Sequence, residues 1–364
     1  MNTRLITFLM CLFAWLSVAD THAQTDLTRL PWVKMADRMP TEWYAGSEAR
    51  SIADQLIARQ MDNGGWQKNL PYQHLLTDDE LAHVQRSGVG ATIDNGSTTT
   101  EMRFLARVYG LSGDVRYKDD FVKGLHYLFK AQYANGGWPQ FYPPRDAAHY
   151  SSHITYNDNA MVNVLRLLQG VSENTSPYDG LQLGDSLRAQ AAKAFDKGID
   201  CILKTQIRVD GEPTVWCAQH DEKTFAPAPA RAYELESFSG AESASIVQLL
   251  MSLPRPSKEV IAAVKGAVKW FETHEVKDIA VRRIHANTPE RDVRIVPAPG
   301  NVLWARFYDL NTGKPFFCDR DGIKRDSLSE VGQERRGGYS WYTDAPQYVL
   351  DAYPKWLKRV EKGG

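Results

Sequence analysis

The chain has 364 residues, 43% hydrophobic and 24% charged, the make-up of a soluble globular protein with room for one large domain or two ordinary ones. A formal net charge of −1 argues against nucleic acid or an anionic membrane as an obligatory partner, so a site for a charged ligand must come from local clustering. Ten Trp and sixteen Tyr exceed what a core demands, and dense packing and a sugar-binding cleft are both open readings of the excess.

In chain order, residues 1–23 read as an export signal: "MNTR", the apolar run 5–19, then small residues at Thr21 and Ala23 before a cleavage point at Gln24. The run is short for a membrane span. Cys11 lies inside it rather than after it, which argues against a lipoprotein. A single domain over 24–364 is expected to be exported to the periplasm or beyond and to act as a monomer. Its three cysteines, Cys201, Cys217 and Cys318, allow at most one disulfide. Without a CxxC they read as buried small hydrophobes.

"QMDNGGW" (60–66) and "QYANGGW" (132–138) are near copies, and "QIRVDGEPTVW" (206–216) is a blurred third. Each follows a helical pattern, at 48–60, 119–132 and 186–206; in the second, Val122, Leu125 and Phe129 recur at helical spacing. Asn-Gly or Asp-Gly then ends the helix, and the Trp reads as a packing plug, with sugar stacking as the other reading. A second helix follows each turn, at 98–110, 157–168 and 242–253. Thr98-x-x-Glu101 and Ser239-x-x-Glu242 have the form of capping boxes. Further helices are predicted over 257–274 and 345–361, the last broken near Pro354, with short strands at 213–219 and 302–310. The fold expected is a mainly α toroid of three helical-hairpin repeats with long loops and a few short strands. Its site should lie where those loops gather.

Four polar clusters follow the turns: Asp94-Asn95; Asn157-Asp158-Asn159; His220, Asp221, Arg231 and Glu234; and Arg320, Arg325, Arg335 and Arg336. Asp94 and Asp158 could each be an N-cap. Their like places in successive repeats point instead to a shared hard-cation site such as calcium, completed by ligand carboxylates. The arginines suit planar, two-bond recognition of carboxylates, with surface ion pairs as the alternative. Pro227 and Pro229 stiffen the approach to Arg231, for catalysis or for anchoring a loop.

"NGGWQKN", "TIDNGSTTTEMRFLARVY", "YNDNAMVNVL", "WCAQHDEKT", "PARAYELESFSGAESA" and "FYDLNTGKPFFCDRDG" occur in order along nearly the whole chain after the export signal. With these segments the sequence resembles the family 10 polysaccharide lyases, pectate lyases with an α/α toroid fold. The resemblance implies calcium-assisted β-elimination on de-esterified homogalacturonan (polygalacturonate). It carries over Asp94 and Asp158 as calcium-associated carboxylates, with Asp94 also needed for turnover. Arg231 becomes the base, with its pKa depressed by desolvation and neighbouring cations and an alkaline optimum following. Arg320 and one of Arg335 or Arg336 would grip substrate carboxylates, with Asn157 as a further contact. A substrate-binding Lys is expected just before "VWCAQ"; Glu212 and Pro213 stand there, and Lys223 is the candidate in its place. Two rivals are a toroid glycoside hydrolase, with Asp158, Glu101, Glu234 and Glu236 as its candidate carboxyls, and a non-catalytic binder of acidic glycans.

Overall fold

Six helical segments foreseen in the sequence form within two residues of their expected ends: Ser47–Arg59 (α2), Thr99–Ser112 (α3), Asp185–Thr205 (α6), Glu242–Ser252 (α7), Lys258–Thr273 (α8) and Ala345–Lys362 (α10). Val115–Ala131 (α4) and Ala160–Ser172 (α5) start or stop three or four residues away. A short Trp32–Arg38 (α1) precedes them, and Gln333–Gly337 (α9) lies between α8 and α10. This computed structural model describes residues 30–80, 82, 90–146, 149–286 and 288–362; the predicted export signal lies outside them. Among the described residues no helix is long and apolar enough to cross a membrane.

The helices pack in two rows, α2, α4, α6 and α8 in one and α3, α5, α7 and α10 in the other. Helix α5 is apolar on most of its surface, with Met161, Val162, Val164, Leu165, Leu167 and Leu168 all buried, as a helix with neighbours on most sides must be. Helix α4 is two-faced instead. Its buried stripe runs through Phe121, Leu125 and Leu128, with Val122 and Phe129 only partly covered, so the face is rotated from the one the sequence suggested. Among the described residues each row holds four helices, and α8 and α10 also pack on each other. Helix α10 runs unbroken through Pro354, held by its packing on α7 and α8.

The repeated turn is the joint between pairs. Gln60 Nε2 donates to Gly64 O and to Asp120 O in the next helix of the row, both at 2.8 Å. Gln132 does the same to Gly136 O at 3.0 Å and Ala194 O at 2.8 Å, and Gln206 to Thr214 O at 2.8 Å and Ala263 O at 2.9 Å. Gly64 and Gly136 sit at φ +93° and +95°, where a Cβ would come within 2.3 Å of Lys123 O and 2.0 Å of Lys197 O. Only glycine lets the next helix approach so closely. Trp66, Trp138 and Trp216 are fully buried, each donating its indole N–H to a backbone carbonyl of the preceding helix (Leu56, Leu128 and Ile202) at 2.8–2.9 Å. Trp304 is a fourth of the same kind, bonded to Phe271 O at 2.9 Å. These are packing plugs, as read.

The expectation of short strands alone is corrected by a long antiparallel ribbon, Val276–Ile284 (β1) and Asp292–Ala305 (β2), with Tyr342–Thr343 (β3) pairing the end of β2. The 302–310 segment foreseen as a short strand contains the end of β2. Pro297 and Pro299 obscure the strand in the sequence; a ribbon edge accommodates their lack of an N–H because no further strand pairs there. The three remaining cysteines are free and buried.

Candidate active site

Backbone hydrogen bonds gather the loops. Two residues after each of the last three plug tryptophans, a carbonyl accepts from the loop of the preceding pair. Gln140 O accepts from Ile93 N–H at 3.2 Å, Ala218 O from Tyr156 and Asn157 at 2.9 Å, and Arg306 O from Gly240 at 3.2 Å. The single-turn segments Asp94–Gly96 and Asn157–Asn159 are thereby brought into contact.

Neither aspartate is an N-cap. Thr98 and Asn159 precede α3 and α5, and neither side chain caps. The aspartates are also one position out of step. Asn95 (φ 53°, ψ 27°) and Asp158 (φ 51°, ψ 30°) hold the left-handed middle of each turn, so Asp94 matches Asn157 and Asn95 matches Asp158. The two turns carry the same acid–amide pair in opposite order. The capping boxes also resolve differently. Thr98 Oγ1 accepts from Trp66 N–H at 3.0 Å and donates to Thr92 O at 2.8 Å, while Glu101 accepts from the Trp32 indole at 2.8 Å. In the second, Ser239 Oγ accepts from Glu242 N–H at 3.2 Å but donates to the Glu242 carboxylate, so the return bond to backbone is missing.

Asp94 is buried, with Oδ2 paired to Lys68 and Oδ1 without a partner. Asp158 is partly exposed, accepting from Asn157 Nδ2 at 3.0 Å and from Arg306 Nη2 at 3.4 Å. Burial lifts its pKa; Arg306 pulls the other way, and the charges of Glu242 and Asp94 add to the rise. Arg306 is buried and also bonds Asn157 Oδ1 at 2.7 Å and the Glu242 carboxylate. Burial opposes its charge, but Glu242, Tyr339, Asp158 and Glu234 together outweigh that and hold the guanidinium above its ordinary pKa. Lys68 and Arg306 occupy one place in the repeat, two residues after Trp66 and Trp304. Counting from all four tryptophans would have found both; the fourth copy is hidden because β1 and β2 separate Trp304 from its helix.

The arginines collect around two rings. Arg306 lies 4.7 Å from the centre of Tyr339; Arg231 and Arg335 lie 4.9 and 4.5 Å from Tyr233 and 6.0 and 5.4 Å from Tyr339. Arg320, exposed, is 5.9 Å from Tyr233 and pairs with Glu334 at 3.2 Å. Such contacts hold a guanidinium in place while leaving its N–H groups for other partners. Arg231 Nε and Nη2 bond Glu234 at 2.8 and 2.6 Å, and Glu234 also accepts from Tyr339 Oη at 2.7 Å. Burial works against the Arg231 charge, but Glu234 outweighs it, so its pKa lies above the ordinary value rather than below it as expected. The physical reason is a buried carboxylate where the sequence reading supposed only neighbouring cations.

Arg336 stands apart from this group, its Nε and Nη2 each 2.8 Å from the Asp292 carboxylate at the start of β2. Arg325 pairs with Asp321. Lys223 is exposed on a turn closed by Asp221, whose Oδ1 accepts its backbone N–H at 3.0 Å. His220 is wholly buried between Cys217 N–H at 3.0 Å and Phe225 O at 2.9 Å, and burial pushes its pKa down to about 4. His153, Asp221 and Glu222 also lie close enough to share an ion. Tyr233 and Tyr339 were missed for want of any sequence signal, since neither belongs to a repeat.

Three comparisons bear on this site. The pectic acid lyase family profile matches residues 60–350. A family 10 polysaccharide lyase from Cellvibrio cellulosa, an Asp-to-Ala mutant in complex with trigalacturonic acid, is 37% identical with a TM-score of 0.76, over 89% of this chain and 95% of that one. A structure of family 10 polysaccharide lyase from the same organism, also 37% identical, gives 0.74 over 87% and 96%. No curated protein matches.

Proposed function

This chain belongs to the pectic acid lyase family and is a polysaccharide lyase, and from that premise we propose that it cleaves de-esterified homogalacturonan by calcium-assisted β-elimination after export. The bound trigalacturonic acid of the similar lyase supports a polygalacturonate substrate. The observation that carries the reading is the meeting of two halves at Arg306: it bonds Asp158 and packs on Tyr339, the ring that Arg231 and Arg335 share. The carboxylates and the arginines are thus linked through one side chain. On the same reading the helix rows close into a toroid.

The acidic half fits a calcium ion. Asp94 Oδ1 is a buried oxygen without a partner, and Asp158 lies near enough for the two charges to act on each other. Hard cations take such oxygens. Asp94 and Asp158 would hold the ion, which when bound supplies positive charge to the galacturonate carboxylate and so makes the C5 proton more acidic.

The chain's own groups do the rest. Arg335 and Arg320 bind substrate carboxylates, Arg320 by exchanging its exposed pair with Glu334, which solvent screens. Asn157, fixed by Arg306, is a further contact. Arg231 Nη1, the terminal nitrogen not turned to Glu234, takes the C5 proton in its deprotonated form as the C4–O4 bond breaks and C4=C5 forms; O4 departs on the other fragment, takes a proton from solvent to become its reducing-end hydroxyl, and a 4,5-unsaturated uronide remains. Because Glu234 holds the Arg231 pKa up, this step needs high pH. The hydrolase reading loses support because two of its candidate carboxyls are committed elsewhere: Glu101 is buried against Trp32 and Glu234 is tied to Arg231.

The test is incubation with polygalacturonate across pH, with and without a calcium chelator. We expect a near-ultraviolet absorbing product, lost on chelation and strongest at alkaline pH. Reducing ends without that absorbance would sink the lyase chemistry, and binding without turnover would favour the glycan-binder reading.

A further inference from the structure

The β1–β2 ribbon borders the site yet has no part in it so far. Its turn end is clamped to α9, the helix that carries Arg335. Arg336 grips Asp292 with two bonds of 2.8 Å and donates to Val331 O at 2.7 Å. Gln333 Nε2 donates to Arg291 O at 2.5 Å. Gly337 lies so close that a Cβ there would be 2.1 Å from Arg291 O. The ribbon therefore holds a set position relative to Arg335.

Register divides its arginines between two faces. Arg283 pairs with Val293, on the same face as Val281, and both valines pack in the cluster that includes Tyr339 and Trp341. Arg282 and Arg294 oppose each other on the far face. Between the near face and Tyr339 lies a cavity of about 180 Å³, bordered by Val281, Arg283, Val293, Tyr339 and Ser340. It is open enough to take a carboxylate-bearing edge of a sugar, several times the roughly 30 Å³ of one water. Among the described residues no carboxylate pairs with Arg283, whereas Arg231, Arg306, Arg320 and Arg336 all have acid partners.

We propose that this cavity is an outer subsite of the polyuronate groove, where Arg283 binds the carboxylate of a sugar unit beyond those held by Arg320 and Arg335. Tyr339 is the shared wall: one set of neighbours is the arginine group, and the other is the ribbon cavity. A polyanionic chain crossing the ring would meet a cation on each side. The subsite adds length preference without touching the bond that breaks, so it acts on binding rather than on chemistry. The inference rests on the polygalacturonate reading above.

The experiment compares wild type, Arg283→Gln and Arg282→Gln on polygalacturonate. Arg283→Gln should raise KM about tenfold, the scale of one charge-assisted hydrogen bond, with kcat within about twofold. Arg282→Gln, on the far face, should change KM by less than about twofold. The subsite is overturned if KM for Arg283→Gln stays within about twofold of wild type, or if Arg282→Gln raises it equally. If wild type yields no absorbing product, the lyase chemistry fails separately. Calorimetric binding of polygalacturonate then decides the subsite: a Kd about tenfold weaker in Arg283→Gln upholds it, and an unchanged Kd overturns it.

Discussion

The two halves of the site are built by different means. The acidic half, Asp94 with Lys68 and Asp158 with Arg306, stands on a repeated frame: plug tryptophans, backbone stitching, and turns with the same left-handed middle residue. The arginine half has no such frame. Arg231, Arg320 and Arg335 come from two loops and a five-residue helix, and Tyr233 and Tyr339 hold them together. Repetition places charges through the main chain, so their positions can be counted along the sequence. Aromatic packing places them through side chains, and nothing local announces it.

The contrast predicts different failures. Asp94→Asn removes a charge from a turn whose backbone bonds remain, so it should lower kcat/KM about a thousandfold with the circular dichroism spectrum unchanged. An unfolded variant would make Asp94 structural, and a fall of less than about tenfold would remove it from the centre.

Glu101, in the first turn of α3, tests stability on the acidic side. Burial lifts its carboxyl to about 7 in the folded chain, above the ordinary value of 4.5, and Oε2 has no partner. A raised acid pKa means that the folded state keeps a proton that the unfolded state has lost. The stabilisation is therefore complete below about pH 4.5 and is lost as pH rises through about 7, a change of roughly 3 kcal/mol. Glu101→Gln should flatten that slope in denaturant midpoints measured across pH. An unchanged slope would mean that Glu101 stays ionised in the fold.

The smallest effect should come from the arginine half. Glu234→Gln removes the carboxylate that holds Arg231 protonated, so the rising limb of the pH–rate profile should move about one unit toward neutrality. A limb that stays in place would take the proton away from Arg231.

Much of the frame was legible. The Gln–Asn–Gly–Gly–Trp pattern marked the first two joints, because only glycine admits the next helix and only a buried Trp fills the gap. Asp94 and Asp158 could be picked out by repetition, although their one-position offset could not, since it depends on how each loop enters its helix. Lys68 lies two residues after Trp66, on the repeat, whereas Lys223, the candidate from the family pattern, sits on an exposed turn. The buried face of α4 was misjudged because Phe121 and Val122 are both apolar, and only the packing of neighbouring helices says which one turns inward.

The sequence by itself determined most of the helices, the first joints and the acids that follow them, since these rest on local backbone preference and on spacing. Tertiary structure alone decided that Arg306 joins the two halves, that Arg335 lies among the rings while Arg336 grips Asp292, and that Arg231 keeps a carboxylate partner. Adjacent arginines on a short helix leave in different directions, and which one meets a ring depends on distant segments that no local pattern encodes.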